Sequence, residues 1–438
     1  MANKTLSTLL TFKDLIDIEH ASFYACLGEH EDVVDKNGLP AIDMGIRTLK
    51  WGPAGSWKST LSKMFGVAAD VPVLTIDSSW GDAATANIPV PNMEKLCNEF
   101  YVGEWLTKFE GPDAVGIVVI DDLTTWCPTD QAKMLGGFEN KRFGSRYLGP
   151  NVRTVACANE HRDAPGGWPL AKAVANRPCH IEWQDPEVHR ITRWISKGGL
   201  IGTAARKERK ASAGYFGFKD AHWSDEQARV FEEWDVHYAG AAGAVNGYVI
   251  CRKTDPKMIR NEPDAGSPEA GRAWLSPRTL SRAPIALATA RLHGLSDAAT
   301  FHLIAGYTGE TWATGFMQWL INQDIPNAED FLDGTARFQH KDSRMDRTFA
   351  LVSSCVSTIV PTDSTRRIAR TKVFWSFLAE CGDTILDGVA ELVHEELFSA
   401  GLTSHRRFPE AIPTIKKLKV MMEATDVTKL VKSSAEVR

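Results

Sequence analysis

Clustered cysteines, long apolar runs and an excess of one charge are all missing from this sequence. Its eight cysteines are scattered without a C-x-x-C pair, so we expect reduced thiols in a cytoplasmic protein and no zinc site built from them. No stretch approaches 18 apolar residues, which excludes a membrane-spanning helix. Lys13 and Asp14 break the apolar run near the N-terminus, and no signal peptide is expected.

The charge balance disfavours a nucleic-acid partner. The chain has 50 basic and 55 acidic residues and a net charge of -5, whereas proteins that bind nucleic acids usually present a strongly basic surface. The charged cluster ARKERK at 205–210 is interpreted as a solvated surface. A nucleic-acid motor is therefore the least favoured of the functions considered below.

The stretch WGPAGSWKST, residues 51–60, nearly matches the phosphate-binding pattern G-x-x-x-x-G-K-[ST]. In such a loop, backbone N–H groups surround phosphate oxygens at a helix N-terminus, a lysine reaches the phosphates and a hydroxyl binds Mg²⁺. Lys58 and Ser59 supply the two side chains, while Trp57 replaces the usual glycine. The alternative is a glycine-rich turn without a ligand. The predicted nucleotide-binding residues are Gly52, Pro53, Ala54, Gly55, Ser56, Trp57, Lys58, Ser59 and Thr60.

Apolar strands alternate with helical segments across the first half of the chain. The strand patterns are IRTLKW (46–51), VPVLTID (71–77), AVGIVVIDD (114–122), NVRTVACANE (151–160) and NRPCHIEW (176–183). KSTLSKMFGVAA after the loop has helical spacing, and helices are also expected over most of 1–45 and over 92–109. This alternation predicts a parallel sheet covered by helices on both faces, followed by a mainly helical region.

Polar residues follow two of these strands. Asp121 and Asp122 end an apolar strand, where one carboxylate can hold Mg²⁺ and a second can orient a water molecule. We predict Asp121 as a metal ligand together with Ser59, and Asp122 as a catalytic residue. Asn159 ends the next strand, where its amide could contact the γ-phosphate or the water. Both features also occur in ordinary strand-end turns, which is the alternative interpretation.

Further motifs follow in the order found in one large family. Arg177 stands just ahead of the last strand, where an exposed arginine could stabilise phosphate charge in a neighbouring subunit's site. Together the motifs resemble those of AAA+ ATPases, and the run 118–183 is similar to the MoxR-like branch. RAWLSPRTL (272–280) resembles that branch's S-P-R segment, in which Arg278 matches the sensor-2 arginine of the helical lid.

This resemblance, over roughly 40–335, implies a fold and an activity. The fold would be α/β, with an AAA+ P-loop core followed by a helical lid and a helical C-terminal region. ATP and Mg²⁺ would be the cofactors, and a hexameric homo-oligomeric ring would hydrolyse ATP at its subunit interfaces and remodel a client protein of von Willebrand factor A type. The catalytic residues would be Asp122, Asn159, Arg177 and Arg278. The predicted regions are an N-terminal helical extension (1–40), the core (41–185), the lid (186–335) with an insertion at 200–245, and the C-terminal region (336–438).

The sequence departs from the family pattern at three positions, and the first two departures support a second interpretation. Trp57 replaces the loop glycine, Asp122 replaces the usual glutamate, and Pro178 replaces an aromatic residue. A scaffold that binds ATP without hydrolysing it, and is stabilised by it, would tolerate the first two. The indole of Trp57 is expected at the nucleotide's edge or on an adjoining subunit, and the alternative places it in the core beneath the loop.

Overall fold

The computed structural model describes residues 8–422 of the chain, apart from 36–37, 78–87, 102–103, 144–145, 160–166, 189, 192–217, 219–221, 253, 265, 322–324, 327, 342–343, 360–363, 394–396, 399 and 405. The chain divides into two compact units. One draws on Leu6–Trp234 and Ile259–Gly315, and the other on Asp235–Met258 and Phe316–Arg438. Within the predicted insertion at 200–245, residues 200–217 and 219–221 lie outside the described residues. The charged cluster at 205–210 belongs to this part.

A five-stranded parallel sheet forms the centre of the first unit, as the sequence predicts. In chain order its strands are β3 (Thr48–Trp51), β4 (Val73–Ile76), β7 (Val115–Ile120), β10 (Asn151–Ala158) and β11 (Cys179–Glu182), and across the sheet they run β11-β3-β10-β7-β4. β7 is apolar, β10 is mostly so, and both strands are almost wholly buried, as expected when a parallel sheet is covered by other elements. β3 and β10 are neighbours, yet the chain continues from β3 to β4 at one edge of the sheet and from β10 to β11 at the other edge. Ligands of such sheets bind in the crevice that this reversal creates at the carboxyl ends of the strands.

Two helices are specified by local signals. α1 (Phe12–Tyr24) begins at a capping box, in which the Thr11 hydroxyl accepts from the Asp14 N–H while the Asp14 carboxylate accepts from Thr11. α2 (Lys58–Ala69) begins directly after the glycine-containing loop and packs on β4 and β7. Its bounds coincide with the helical segment predicted there.

Two β-hairpins replace helices that the sequence pattern predicts. Among the described residues of the N-terminal extension, α1 is helical and β1 (Cys26–Val34) pairs antiparallel with β2 (Pro40–Met44), so the prediction of a helical 1–40 is wrong for Cys26–Val34. The hairpin is held by partners far along the chain: Lys141 donates to the Met44 carbonyl at 2.8 Å and pairs with Asp43. Contacts of this kind leave no local pattern in the sequence.

The helix predicted over 92–109 is also largely wrong. β5 (Ile88–Asn92) pairs with β6 (Cys97–Tyr101), and among the described residues of this stretch the helix is α3 (Glu104–Thr107). The Asn92 side-chain oxygen accepts from the N–H groups of Glu94 and Lys95, both at 3.0 Å, and this favours a turn over a helix start. The remaining short elements before β11 are α4 (Pro128–Lys133), α5 (Leu135–Glu139), β8 (Arg142–Phe143), β9 (Arg146–Tyr147) and α6 (Lys172–Ala175).

Beyond β11 the described chain is helical, as predicted. The helices are α7 (Trp223–Ile250), α8 (Pro277–Leu280), α9 (Ala283–His293), α10 (Asp297–Thr308), α11 (Glu310–Ile321), α12 (Ala328–Leu332), α13 (Met345–Ile359), α14 (Ser364–Glu380), α15 (Asp383–Val393) and a last helix at 412–422. In the second unit, Phe374 and Trp375 of α14 are fully buried in a core shared with α13 and α15. None of the described helices combines the length and the apolar character needed to cross a bilayer.

Candidate functional site

A cavity of about 230 Å³ opens where β3, β7 and β10 end. Its lining is Ala54–Thr60 together with Asp121, Asp122 and Asn159. Three segments that the sequence pattern identified separately therefore meet at one place. Gly52 and Pro53 do not line the cavity, but their carbonyl groups contact its lysine, as described below.

The loop between β3 and α2 is shaped by close contacts. A Cβ atom at Gly52 would lie 2.8 Å from the Trp183 Cβ, so no larger residue fits there without a shift. Gly55 has a φ of +79°, which glycine adopts without strain. The Ser56 hydroxyl donates to the Pro53 carbonyl at 2.7 Å, and the Trp183 indole donates to the Ser56 carbonyl at 2.8 Å. The loop is thus anchored to the residue that follows β11.

The N-terminus of α2 faces this cavity. Trp57 holds the N-cap position, and its indole has no acceptor atom, so the first N–H groups of α2 need an acceptor from elsewhere. An anion supplies such acceptors, and the helix dipole favours negative charge at this end. Lys58, Ser59 and Thr60, the first residues of the helix, all line the cavity. The arrangement suits a phosphate group.

Trp57 has a left-handed backbone conformation, which is the reason that phosphate-binding loops usually have glycine at this position. Its φ and ψ are +66° and +21°, in the left-handed region, which costs a residue with a Cβ about 1–2 kcal/mol. The side chain is half-buried and lines the cavity. This placement agrees with an indole at the edge of a bound nucleotide and disagrees with burial in the core beneath the loop.

We expect Trp57→Gly to leave the free energy of unfolding within about 1 kcal/mol of the wild type, because relief of backbone strain offsets lost packing and the entropy of glycine. ATP affinity should be unchanged or higher. Thermal unfolding and equilibrium ATP binding of the same variant measure both. Trp126→Gly is the control, since that indole is buried and its loss should cost about 3–5 kcal/mol. A loss that large at Trp57 would place its indole in the core.

Lys58 is buried at the N-terminus of α2, with 6 % of the residue exposed. Its ammonium donates to the carbonyls of Gly52 at 2.8 Å and Pro53 at 2.6 Å, and to the Asn159 side-chain oxygen at 2.9 Å. Burial lowers the pKa of Lys58 below its usual range, and the charge of Asp122 opposes that shift. These contacts use all three N–H groups, so a phosphate oxygen would have to replace at least one of them.

Asn159 joins the lysine to the acidic pair. Its amide accepts from Lys58 and donates to the Asp122 carboxylate at 2.9 Å, which fixes the orientation of the amide. Thr124 holds the Asn159 backbone through two hydrogen bonds, of 3.2 and 3.3 Å. The Trp126 indole donates to the Asp121 carbonyl at 3.2 Å. Two residues of the turn after β7 therefore hold the backbone of two residues that line the cavity, Asn159 and Asp121.

The charges of the cavity indicate what can occupy it. One ammonium and two carboxylates line it together with the N-terminus of a helix. A bare phosphate would be attracted by Lys58 and the helix but repelled by Asp121 and Asp122. A divalent cation bound between phosphate and carboxylate removes that repulsion, and oxygen ligands such as Ser59 and Asp121 suit Mg²⁺. The residues present fit a phosphate ester with Mg²⁺.

Arg177 and Arg278 lie outside the lining of this cavity but share one partner. Arg177 Nε is 2.8 Å and Arg278 Nε is 3.3 Å from the Glu139 carboxylate, at the end of α5. The two predicted catalytic arginines are thus brought together, although sequence motifs about 100 residues apart supply them. Glu139 was not among the predicted residues, because a single glutamate at a helix end is common.

A buried ion cluster beneath the loop was not predicted from the sequence. Glu19 of α1, 1 % exposed, lies 3.0 Å from Lys50 Nζ and 3.3 Å from Arg153, and accepts from the Ser62 hydroxyl at 2.7 Å. Lys50 in turn donates to the Lys58 carbonyl at 3.1 Å. A signal was available, since Lys50 and Arg153 are charged residues inside strands that are otherwise apolar, and such charges require a buried partner.

Comparison with known proteins leaves the function to be argued from this geometry. No family model matches the sequence, and no curated protein is significantly similar to it. The resemblance to AAA+ ATPases therefore rests on the sequence motifs alone, and the residues that line the cavity indicate which function the protein can have.

Proposed function

We propose that the protein is an AAA+ ATPase of the MoxR-like type, which binds ATP with Mg²⁺ and hydrolyses it. One observation carries this proposal: Asn159 bridges Lys58 and Asp122 within a single cavity at the N-terminus of α2. An ordinary strand-end turn would have no need to hold an ammonium, an amide and a carboxylate together at a helix N-terminus. The reversal of the strand connections beside β3 supports the same position for a ligand.

Each residue has a role that its position allows. The N–H groups of Ala54–Thr60 and the ammonium of Lys58 would hold the phosphates, and Ser59 and Asp121 would hold Mg²⁺, which neutralises phosphate charge when bound. Asp122 would orient the attacking water and accept its proton. Asn159, already hydrogen-bonded to Asp122, would keep that carboxylate aimed at the water.

We expect Asp122→Asn to abolish steady-state phosphate release while leaving ATP binding intact, because the amide can orient a water but accepts no proton from it. General-base catalysis typically contributes about 100-fold or more to the rate. Asparagine tolerates the left-handed backbone of this position, where φ is +50°, so the variant should fold. Asp113→Asn, an exposed acid next to the opposite end of β7, is the matched control and should retain full turnover.

The same assay separates the proposal from its alternatives. Tight ATP binding by the wild type without turnover would favour the non-hydrolysing scaffold. Turnover stimulated by DNA or RNA, and steeply weakened by salt, would favour a nucleic-acid motor. Turnover that is lost in Asp122→Asn but retained in Asp113→Asn supports the proposal that the protein is an ATPase.

The proposal includes a homo-oligomeric ring, a hexamer, with ATP at its subunit interfaces. Arg177 pairs with Glu139 and is not part of the cavity lining, which is consistent with an arginine that serves a neighbouring subunit's phosphates. Arg278, which pairs with the same Glu139, would close the helical lid as the sensor-2 arginine. A client of von Willebrand factor A type belongs to the proposal through the resemblance alone. A cytoplasmic location belongs to the proposal because the eight cysteines are scattered along the sequence without a C-x-x-C pair, a pattern typical of proteins in a reducing compartment.

A further inference from the structure

A second group of potential ligands lies on three helices of the first unit. His20 is on α1, Glu226 is in the first turn of α7, and His293 is the last residue of α9. One ligand atom from each residue can be chosen so that all three lie within 4.8 Å of one another. The three residues form no sequence motif because they are far apart in the chain, and the scattered cysteines do not belong to this group.

We propose that His20, Glu226 and His293 form a zinc-binding site with one open coordination position. Two imidazoles and a carboxylate are a ligand set that Zn²⁺ accepts, and a fourth position is then filled by water. At Zn–N and Zn–O bonds of about 2.1 Å, ligand atoms of a tetrahedral site are about 3.4 Å apart. His293 Nδ1 and Glu226 Oε1 are 3.5 Å apart, close to that spacing. The ligand atom of His20 lies within 4.8 Å of the other two, and a side-chain rotation can bring it to the tetrahedral spacing.

The surroundings favour a metal ion over loosely held water. The ring of His20 packs against those of Tyr24 and Phe65, with centroids 5.2 and 5.8 Å away, and Tyr24 also lies beside His293. The side chains of His293 and Glu226 are 5 % and 22 % exposed. An apolar wall limits solvent access and keeps the imidazoles in place, and both effects tighten metal binding. This inference does not depend on the proposed ATPase activity.

Arg229 is the group that competes with the metal. Its guanidinium donates to both carboxylate oxygens of Glu226, at 2.5 and 3.2 Å, so a metal ion must share or displace that contact. Arg229 also reaches Glu233 at 3.2 Å, so it retains a partner when the metal binds. Removing the guanidinium should therefore strengthen zinc binding while leaving all three ligands in place.

Zinc titration of the full chain, without nucleotide and against a chromophoric chelator, tests the site. Excess Mg²⁺ keeps oxygen-only sites occupied, and the absorbance of a Co²⁺-loaded sample shows whether thiolates are ligands. We expect the wild type to bind one equivalent of Zn²⁺ and its Co²⁺-loaded form to show no thiolate bands. Zinc binding should be at least about 100-fold weaker in His20→Ala and His293→Ala, and several-fold tighter in Arg229→Gln. His302→Ala, on α10, is the control and should bind as the wild type does.

Either of two results would overturn the site. One is zinc affinity that is equal in the wild type and both histidine variants, and the other is a Co²⁺ spectrum dominated by thiolate. Circular dichroism of each variant confirms folding, and Arg229→Gln carries the test by itself if the histidine variants unfold. In that case, affinity no higher than that of the wild type counts against the site.

Discussion

Replacement of Lys58 by alanine should weaken ATP binding at least about 100-fold. Hydrogen bonds to a charged group contribute about 1.5–3 kcal/mol each, and the ammonium can donate at least two to the phosphates, so the loss is about 3 kcal/mol or more. The substitution also leaves Asp121 and Asp122 without the neighbouring positive charge, which adds repulsion toward the phosphates. Equilibrium binding of a fluorescent ATP analogue measures the effect.

The matched control for this prediction is Lys63→Ala. Lys63 is on the same helix, carries the same charge and is exposed, so its removal should change ATP affinity less than about twofold. Thermal unfolding without nucleotide checks that Lys58→Ala still folds, because the substitution also removes the bonds to Gly52, Pro53 and Asn159. A folded Lys58→Ala protein that binds ATP as tightly as the wild type would show that the cavity is not a nucleotide site.

Glu19→Gln should lower the free energy of unfolding by about 3–5 kcal/mol. The substitution leaves Lys50 and Arg153, both about 1 % exposed, without the buried carboxylate that neutralises them. The loss should be visible in chemical denaturation at neutral pH. Asp17→Asn on the same helix is the control, since the ion pair of Asp17 with Lys13 is on the surface and should contribute less than about 1 kcal/mol.

The Glu19 contribution should depend on pH in a defined direction. Burial raises the pKa of Glu19, but the charges of Arg153 and Lys50 outweigh it and hold the folded-state pKa at about 2, below the ordinary value of 4.5. A depressed folded-state pKa stabilises the protein above the ordinary value, and the stabilisation is lost as the pH falls from about 4.5 to about 2. The wild type should therefore lose more stability than Glu19→Gln over this interval. Equal losses would show that Glu19 is not the group that titrates.

The cluster around Glu19 also connects stability to the candidate site. Lys50 contacts Glu19 and donates to the carbonyl of Lys58, the first residue of α2. If the cluster positions the loop, Glu19→Gln should weaken ATP binding as well as folding, whereas Asp17→Asn should change neither.

Local sequence determined the parts of this protein whose cause is local. The five sheet strands follow from short β-branched runs that must be buried, and α2 follows from good helix formers after a glycine-containing loop. Even the unusual Trp57 was correctly placed at a position that needs a permissive backbone, because the loop pattern specifies which residue has positive φ. Lys58, Asp121, Asp122 and Asn159 were identified in the same way and meet in one cavity.

Tertiary structure alone decided the features that join distant segments. Arg153 contacts Glu19 across 134 residues of chain. Lys141 donates a hydrogen bond to the β1–β2 hairpin, in a region where the sequence pattern predicted helix. Arg177 and Arg278 both pair with Glu139. His20, Glu226 and His293 approach one another only because three helices pack together. Hydrophobic periodicity reports which face of an element is buried, but not which other element covers it. Which buried charges form pairs, and which ligand residues meet, depends on which elements pack together, and this is determined only when the whole chain has folded.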